Sequence, residues 1–245
     1  MISFGRTAAA LAMALYTCSA FAADDEAKRA RFINGVPNSA GVTVNVGGKA
    51  LWNDVSSGKI SEYKSVIGDD PKIEVIGAGG SAGQTADLGN ANENYTIVAS
   101  PNADGTPKLS VFTLPRINPN DPKAQITLIN ASSDVKAADL IVGDDKVHAG
   151  VNPAGHNGPD KVDAGSKMIK VRDGSQDKDL FTKQMDFQPG KSYTVVIFSS
   201  SQVEAVDDSA GARDSRPAAT LPVNKDASPK TDAEPKTAPA QPSNM

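Results

Sequence analysis

Apolar and polar positions alternate along this chain in short runs, each closed by glycine, aspartate or proline. Val42, Val44 and Val46 alternate with Thr43, Asn45 and Gly47, the period-two pattern of a strand with one face buried. The runs are short and rich in β-branched residues, which is the mark of an all-β chain. Gly47-Gly48, Asp104-Gly105, Gly143-Asp144 and Asp173-Gly174 suit hairpin turns that need positive φ. Beyond the first residues, no long stretch carries apolar residues at helical spacing. Packed antiparallel sheets are the natural way to bury such faces.

The pattern occurs twice. Arg31-Phe32-Ile33-Asn34-Gly35 is matched by Thr127-Leu128-Ile129-Asn130-Ala131, and Tyr95-Thr96-Ile97-Val98-Ala99 by Tyr193-Thr194-Val195-Val196-Ile197. Asn34 and Tyr95 lie 61 residues apart, Asn130 and Tyr193 63 apart. Between these landmarks, Val42–Val46 matches Ala138–Val142, and Ile73-Glu74-Val75-Ile76 matches Met168-Ile169-Lys170-Val171. Landmarks kept in order at nearly equal separation predict a repeated unit. The expected fold is all-β: two tandem small antiparallel β-sandwich (immunoglobulin-like) domains, 28–113 and 124–204. Pro115, Pro119 and Pro122 in the linker 114–123 predict a stiff, extended connector.

The ends differ from the middle. Residues 1–22 read as a secretory signal, with Arg6 before the apolar stretch Thr7–Tyr16 and a cleavage site after Ala20-Phe21-Ala22. The apolar run is shorter than the roughly 20 residues that span a bilayer. Lipoprotein processing at Cys18 is the rival reading; cleavage after Ala22 would remove this single cysteine. A periplasmic or secreted location is expected. Residues 205–245 are expected to be a disordered tail, proline-rich and without an aromatic residue from Asp207 on. The full chain carries a net charge of −4, and no basic cluster with interleaved aromatics marks it for nucleic acid.

Candidate chemistry is sparse. His148 and His156, near Asp144, Asp145 and Asp160, are metal-ligand types, but their spacing sets no coordination geometry, so no metal and no cofactor are expected. No nucleophile elbow or Ser/His/Asp set is present, so no catalytic residue is expected. The glycine run Gly77–Gly83 lacks the downstream Lys-Ser/Thr of a phosphate cradle and reads as a hairpin loop. Trp52 and Tyr63 are the candidate glycan contacts, but core or edge packing is the favoured role for Trp52, whose region in the second copy is held by Val147-His148. Tyr95 and Tyr193 are expected to pack inside while their hydroxyls reach backbone groups, as in a tyrosine corner.

The opening strand that ends Leu128-Ile129-Asn130-Ala131-Ser132 and the closing strand Tyr193-Thr194-Val195-Val196 resemble a family of secreted bacterial domains, domain of unknown function 4397. The order of elements is also similar to the periplasmic accessory proteins of alginate O-acetylation. Tyr95–Pro101, Gly105–Leu109, Gln125–Asn130 and Val151-Asn152-Pro153 carry that second likeness. It implies a non-catalytic adaptor for acetyl-transfer partners acting on an exopolysaccharide, and it assigns no catalytic residue here. Three expectations follow on partners: an acetyltransferase complex, another periplasmic or envelope protein, or a polysaccharide. A two-domain chaperone would need a basic anchor, for which Arg116 is the candidate.

Overall fold

Alternating burial sorts the strands of the first copy into two sheets. The computed structural model describes residues 28–68, 70–77, 80–89 and 93–208; the expected signal segment and the expected tail beyond 208 lie outside the described residues. In β2 (Val42–Val46) the three valines are buried and Thr43 and Asn45 are half-buried. This strand pairs with β3 (Lys49–Val55) through a turn in which Gly47 and Gly48 take φ of +61° and +78°, conformations that cost glycine little. On its other side lie β6 (Lys72–Gly77) and then β7 (Gly80–Thr85). The facing sheet is built on β1 (Arg29–Asn34), flanked by β8 (Glu93–Pro101) and β9 (Pro107–Pro115) on one side. Two short strands, β4 (Lys59–Ile60) and β5 (Lys64–Ser65), pair along its other side. Phe32, Val44, Trp52, Ile73, Leu88 and Ile97 fill the space between the sheets.

The second copy repeats this order, with one long strand in place of the two short ones. One sheet orders β12 (Asp145–Val151), β11 (Ala138–Val142), β14 (Gly165–Asp173) and β15 (Lys178–Phe187). The other orders β13 (Gly155–Asp163), β10 (Lys123–Asn130), β16 (Ser192–Ser199) and β17 (Gln202–Asp207). Two tandem β-sandwiches are therefore the fold, and β17 carries the second three residues past 204. Each copy holds one parallel pair, β1 with β8 and β10 with β16, within otherwise antiparallel sheets. A parallel pair needs a long crossover, and here almost the whole sandwich lies between its two members.

Register corrects one of the expected matches. Val46 lies opposite Ile73, and Val142 opposite Ile169, so Ile73 corresponds to Ile169 and not to Met168. Side chains alternate with period two, so a slip of one residue exchanges the buried face for the exposed one. Ile169 is indeed fully buried, whereas Met168 is 46% exposed. The turn chemistry at Asp173-Gly174 also differs from expectation. Positive φ falls on Asp177 instead, and Gly174 serves close approach: a Cβ there would sit 3.3 Å from the Ala137 carbonyl and the Asp139 carboxylate.

The two sandwiches are packed against each other through the sheets that contain β1 and β10. Ile33, Val98 and Phe112 of the first copy form one buried cluster with Ile129, Ala131, Val196 and Phe198 of the second. Burying each such large side chain is worth about 1.5–3 kcal/mol, so this seam is a second core and not a brush of surfaces. At one point a residue meets its own counterpart. A Cβ on Gly35 would lie 2.7 Å from the Cβ of Ala131, so only glycine permits this approach. Near its axis, an isologous dimer interface has the same property.

The connector is a turn and not an extended spacer. Strands take up both ends of the expected linker, β9 running to Pro115 and β10 beginning at Lys123. Between them Asp121 N–H donates to the Asn118 carbonyl, 2.9 Å, and Asn120 N–H to Asn118 Oδ1, 2.9 Å. Lys161 of β13 then holds the Asp121 carboxylate at 2.7 Å.

Candidate functional site

Arg31 is the largest of the fully buried side chains among the described residues, at 2% exposure. It stands in β1 between apolar neighbours Ala30 and Phe32, on the face turned toward the second copy. Nε donates to Thr96 Oγ1 at 3.1 Å and Nη2 to Thr194 Oγ1 at 2.8 Å, two threonines at corresponding positions of the two copies. Both terminal nitrogens reach the Asp208 carboxylate just after β17. Burial works against the guanidinium charge, but Asp208 together with Tyr63 more than offsets it and holds Arg31 above its ordinary value. The Arg31 guanidinium also lies 4.9 Å from the ring centre of Tyr63. Burial pushes the Tyr63 hydroxyl up to about 12, despite the nearby Arg31 charge. A shallow cleft opens here, lined by Tyr63, Asn94, Leu114, Gln125, Thr127 and Asp208 among others.

The repeat landmarks are scaffold. Asn130 Nδ2 donates to the Val135 and Val151 carbonyls at 2.8 and 3.0 Å, and its Oδ1 accepts from Ser132 N–H and Oγ–H at 3.2 and 2.7 Å. Asn34 does the same work in the first copy, donating to Ser39 Oγ and the Val55 carbonyl at 2.9 Å each and accepting from Val36 N–H at 3.1 Å. Each asparagine ties the loop after its own strand to the far end of the adjoining hairpin. The Tyr193 hydroxyl accepts from Gln188 N–H at 3.0 Å and donates to the Asp186 carbonyl at 3.1 Å, a tyrosine corner. The Tyr95 hydroxyl lies 3.4 Å from Glu93 Oε2.

Trp52 is 3% exposed, packed against Phe32 with its indole N–H on the Glu62 carbonyl at 3.1 Å. Its ring faces are inside the core, so it is a packing residue and not a platform for a sugar. One face of Tyr63 is likewise taken by Arg31. The sequence places Val147-His148 in the region equivalent to Trp52, and register decides between the two. Val44 lies opposite Trp52 and Leu140 opposite His148, so His148 occupies the tryptophan position of the second copy.

His148 is 1% exposed. Its Nε2 lies 3.3 Å from the Ile126 carbonyl and its Nδ1 3.1 Å from Asp160 Oδ2, the latter at an ion-pair distance without hydrogen-bond alignment. His156 is elsewhere in purpose: its ring stacks on Phe112 of the first copy, centroids 4.1 Å apart. Burial lowers both imidazoles below their ordinary value. Among the described residues, no group of three His, Cys, Asp or Glu converges on a metal position. Asp144 and Asp145 belong to the β11–β12 turn and the start of β12.

In the sequence Arg31 figured only as part of a repeat landmark, and Asp208 fell in the stretch expected to be disordered tail, whereas the structure buries and pairs them. The signal for Arg31 was an arginine inside the apolar run Ala30-Arg31-Phe32-Ile33, where a charge is costly unless paired. With sheets β1 and β10 buried against each other, two sheet faces remain open. The β2–β6–β7 face shows Thr43, Asn45, Glu74, Ile76 and Ser81, whereas the β11–β14–β15 face shows an ion-pair ladder. There Lys146 pairs with Asp139 at 2.6 Å, and Arg172 with Asp177 and Asp179 at 2.8 Å each.

The model of one family, domain of unknown function (DUF4397), matches residues 29–137 and again residues 124–224. The two matches overlap on β10 and the loop after it. No curated protein matches the chain.

Proposed function

Because the chain belongs to the DUF4397 family through two tandem copies, we propose that it is a non-catalytic binding module of the cell envelope or the extracellular space. The observation that supports this is how the buried polar groups are used. Arg31, Asn34, Asn130, Asp173 and Tyr193 are each engaged in holding a turn or the seam. A site for chemistry needs polar groups poised toward substrate, and these are directed at the scaffold. What is left for recognition is the two outer sheet faces and their loops, presented at fixed spacing by the shared seam.

The finer reading is an adaptor in exopolysaccharide O-acetylation, and its support is the likeness of the mid-chain run Tyr95–Pro101. The test is a crosslinked affinity capture with the mature chain from envelope extracts, read by mass spectrometry. Recovery of an acetyltransferase partner, with lowered polymer acetyl content after gene deletion, supports the adaptor. Recovery of a different envelope component or polymer supports the broader module alone. Turnover of any ester or glycoside by the purified chain would overturn both.

A further inference from the structure

His148 sits where the first copy places tryptophan, and the exchange changes what the position can do. Both imidazole nitrogens face oxygen acceptors: Nε2 the Ile126 carbonyl at 3.3 Å, Nδ1 the Asp160 carboxylate at 3.1 Å. A neutral imidazole has one N–H, which Nε2 can direct to the Ile126 carbonyl; a second proton would fall on Nδ1, which is buried without an aligned hydrogen bond. The ring itself is fully enclosed, while Asp160 is 55% exposed and opens the cluster to water.

The site is wired to the seam. Its ladder is irregular between Ile126 and Leu128, and the segment that crosses the irregularity includes Gly158, where a Cβ would lie 3.2 Å from His148 Cε1. Two residues before Gly158, on the same strand, His156 stacks on Phe112 of β9. A shift of the His148 ring therefore bears on β13, and β13 bears on the first copy.

We propose that the His148–Asp160–His156 cluster is a proton-sensitive joint between the two sandwiches, closed at neutral pH and loosened by acid. The charged group that faces His148 is Asp160, and the titratable group that faces His156 is His148. β10 contributes the Ile126 carbonyl and β9 the Phe112 ring. The ionic side chains alongside are engaged elsewhere: Lys161 with Asp121, Lys123 with Asp163, Lys146 with Asp139. Burial holds both imidazoles below the value of about 6.5 that they would have in the unfolded chain. The unfolded chain then binds protons more readily, so the contribution is complete above about pH 6.5 and is lost as pH falls through the folded values. These are the only two histidines of the chain, so this window belongs to them.

The test is an NMR titration of the two imidazole Cε1–H signals in the full mature chain, with backbone amides of β9 and β13 followed in parallel. The expected result is a midpoint below about 6.5 for both rings, with amides of residues 110–113 shifting along the same curve. Midpoints at or above that value, or β9 amides that ignore the titration, would overturn the joint. A second measurement compares melting midpoints at about pH 7.5 and about pH 5.5 for the native chain, H148W and H148Q. The native chain should lose several degrees on acidification, and whichever variant folds should lose less than half as much. An equal loss in the variants would overturn the proposal as surely as an inert β9.

Discussion

The two copies share topology and register, yet their corresponding residues divide into positions that agree and positions that do not. Inside each sandwich the agreement is close: Val44 with Leu140, Ile73 with Ile169, Asn34 with Asn130, Val55 with Val151. On the seam Ile33 matches Ile129, Val98 matches Val196 and Thr96 matches Thr194, and the agreement fails at one buried position. Arg31 in β1 corresponds to Thr127 in β10, which is also buried, at 3%. A symmetric seam would bring two arginines into one dry space, and like charges there repel strongly. One arginine, answered by Asp208 and by a threonine from each copy, is the asymmetric solution. The lesson is that two copies can share most of their seam and still need one unequal position where a buried charge is answered once.

The sharpest way to break this comparison is to remove Asp208. Asp208→Ala leaves Arg31 buried without its carboxylate, and stripping one partner from a buried pair costs about 3–5 kcal/mol. Urea unfolding of the mature chain measures it. Arg31→Thr, which copies the second domain, combined with Asp208→Ala should recover a large part of the loss, since the costly species is the lone charge. A single-variant loss under about 1 kcal/mol would mean that the seam does not depend on this pair.

The asparagines test the other half of the comparison, where the copies agree. Asn34→Ala and Asn130→Ala each strand two carbonyl or hydroxyl acceptors and at least one N–H, all drawn from a loop and a hairpin end. Buried groups left unpaired cost about 1–3 kcal/mol apiece before relaxation, so about 2–3 kcal/mol is expected for either variant. Near-equal losses in thermal or urea unfolding would show that the landmark does one job twice. A loss in one copy only would show that the repeat is kept in sequence without being kept in energy.

Much of this was legible in the chain. Val42–Val46 announced its buried face by alternation, and the Asn-to-Tyr spacing announced the repeat. The one-residue slip at Met168 arose because Met168-Ile169-Lys170-Val171 offers apolar residues of both parities, and only pairing with β11 decides which face is inside. The seam was not legible, because strands buried on both faces read as continuous apolar runs and do not say what covers the second face. His148 was legible in part: the sequence sets Val147-His148 in the region of Trp52, and only pairing with Leu140 decides that His148 takes the tryptophan slot. Burial gives Trp52 the packing role that the sequence favoured and removes the sugar platform.

The smallest effect is expected where the copies differ most visibly, on the two open faces. Thr43 and Asp139 correspond, and so do Ile76 and Arg172, which lie opposite them. Arg172 is held by Asp177 and Asp179 in full view of solvent, so its raised value owes first to the hydrogen bond with Asp179 and then to the two carboxylate charges. Exposed pairs of this kind contribute little and are screened by salt. Arg172→Ile, which copies the first domain, should leave the unfolding midpoint nearly unchanged and erase any difference at about 1 M salt. That neutrality is what makes the substitution useful. If the native chain captures a partner from envelope extracts, a variant that keeps its stability but loses that capture would place recognition on the β11–β14–β15 face. The reciprocal Ile76→Arg, losing capture instead, would place it on the β2–β6–β7 face. Retained capture in both would move recognition to the loops, and the ladder would then be a surface that keeps a long exposed edge strand such as β15 soluble.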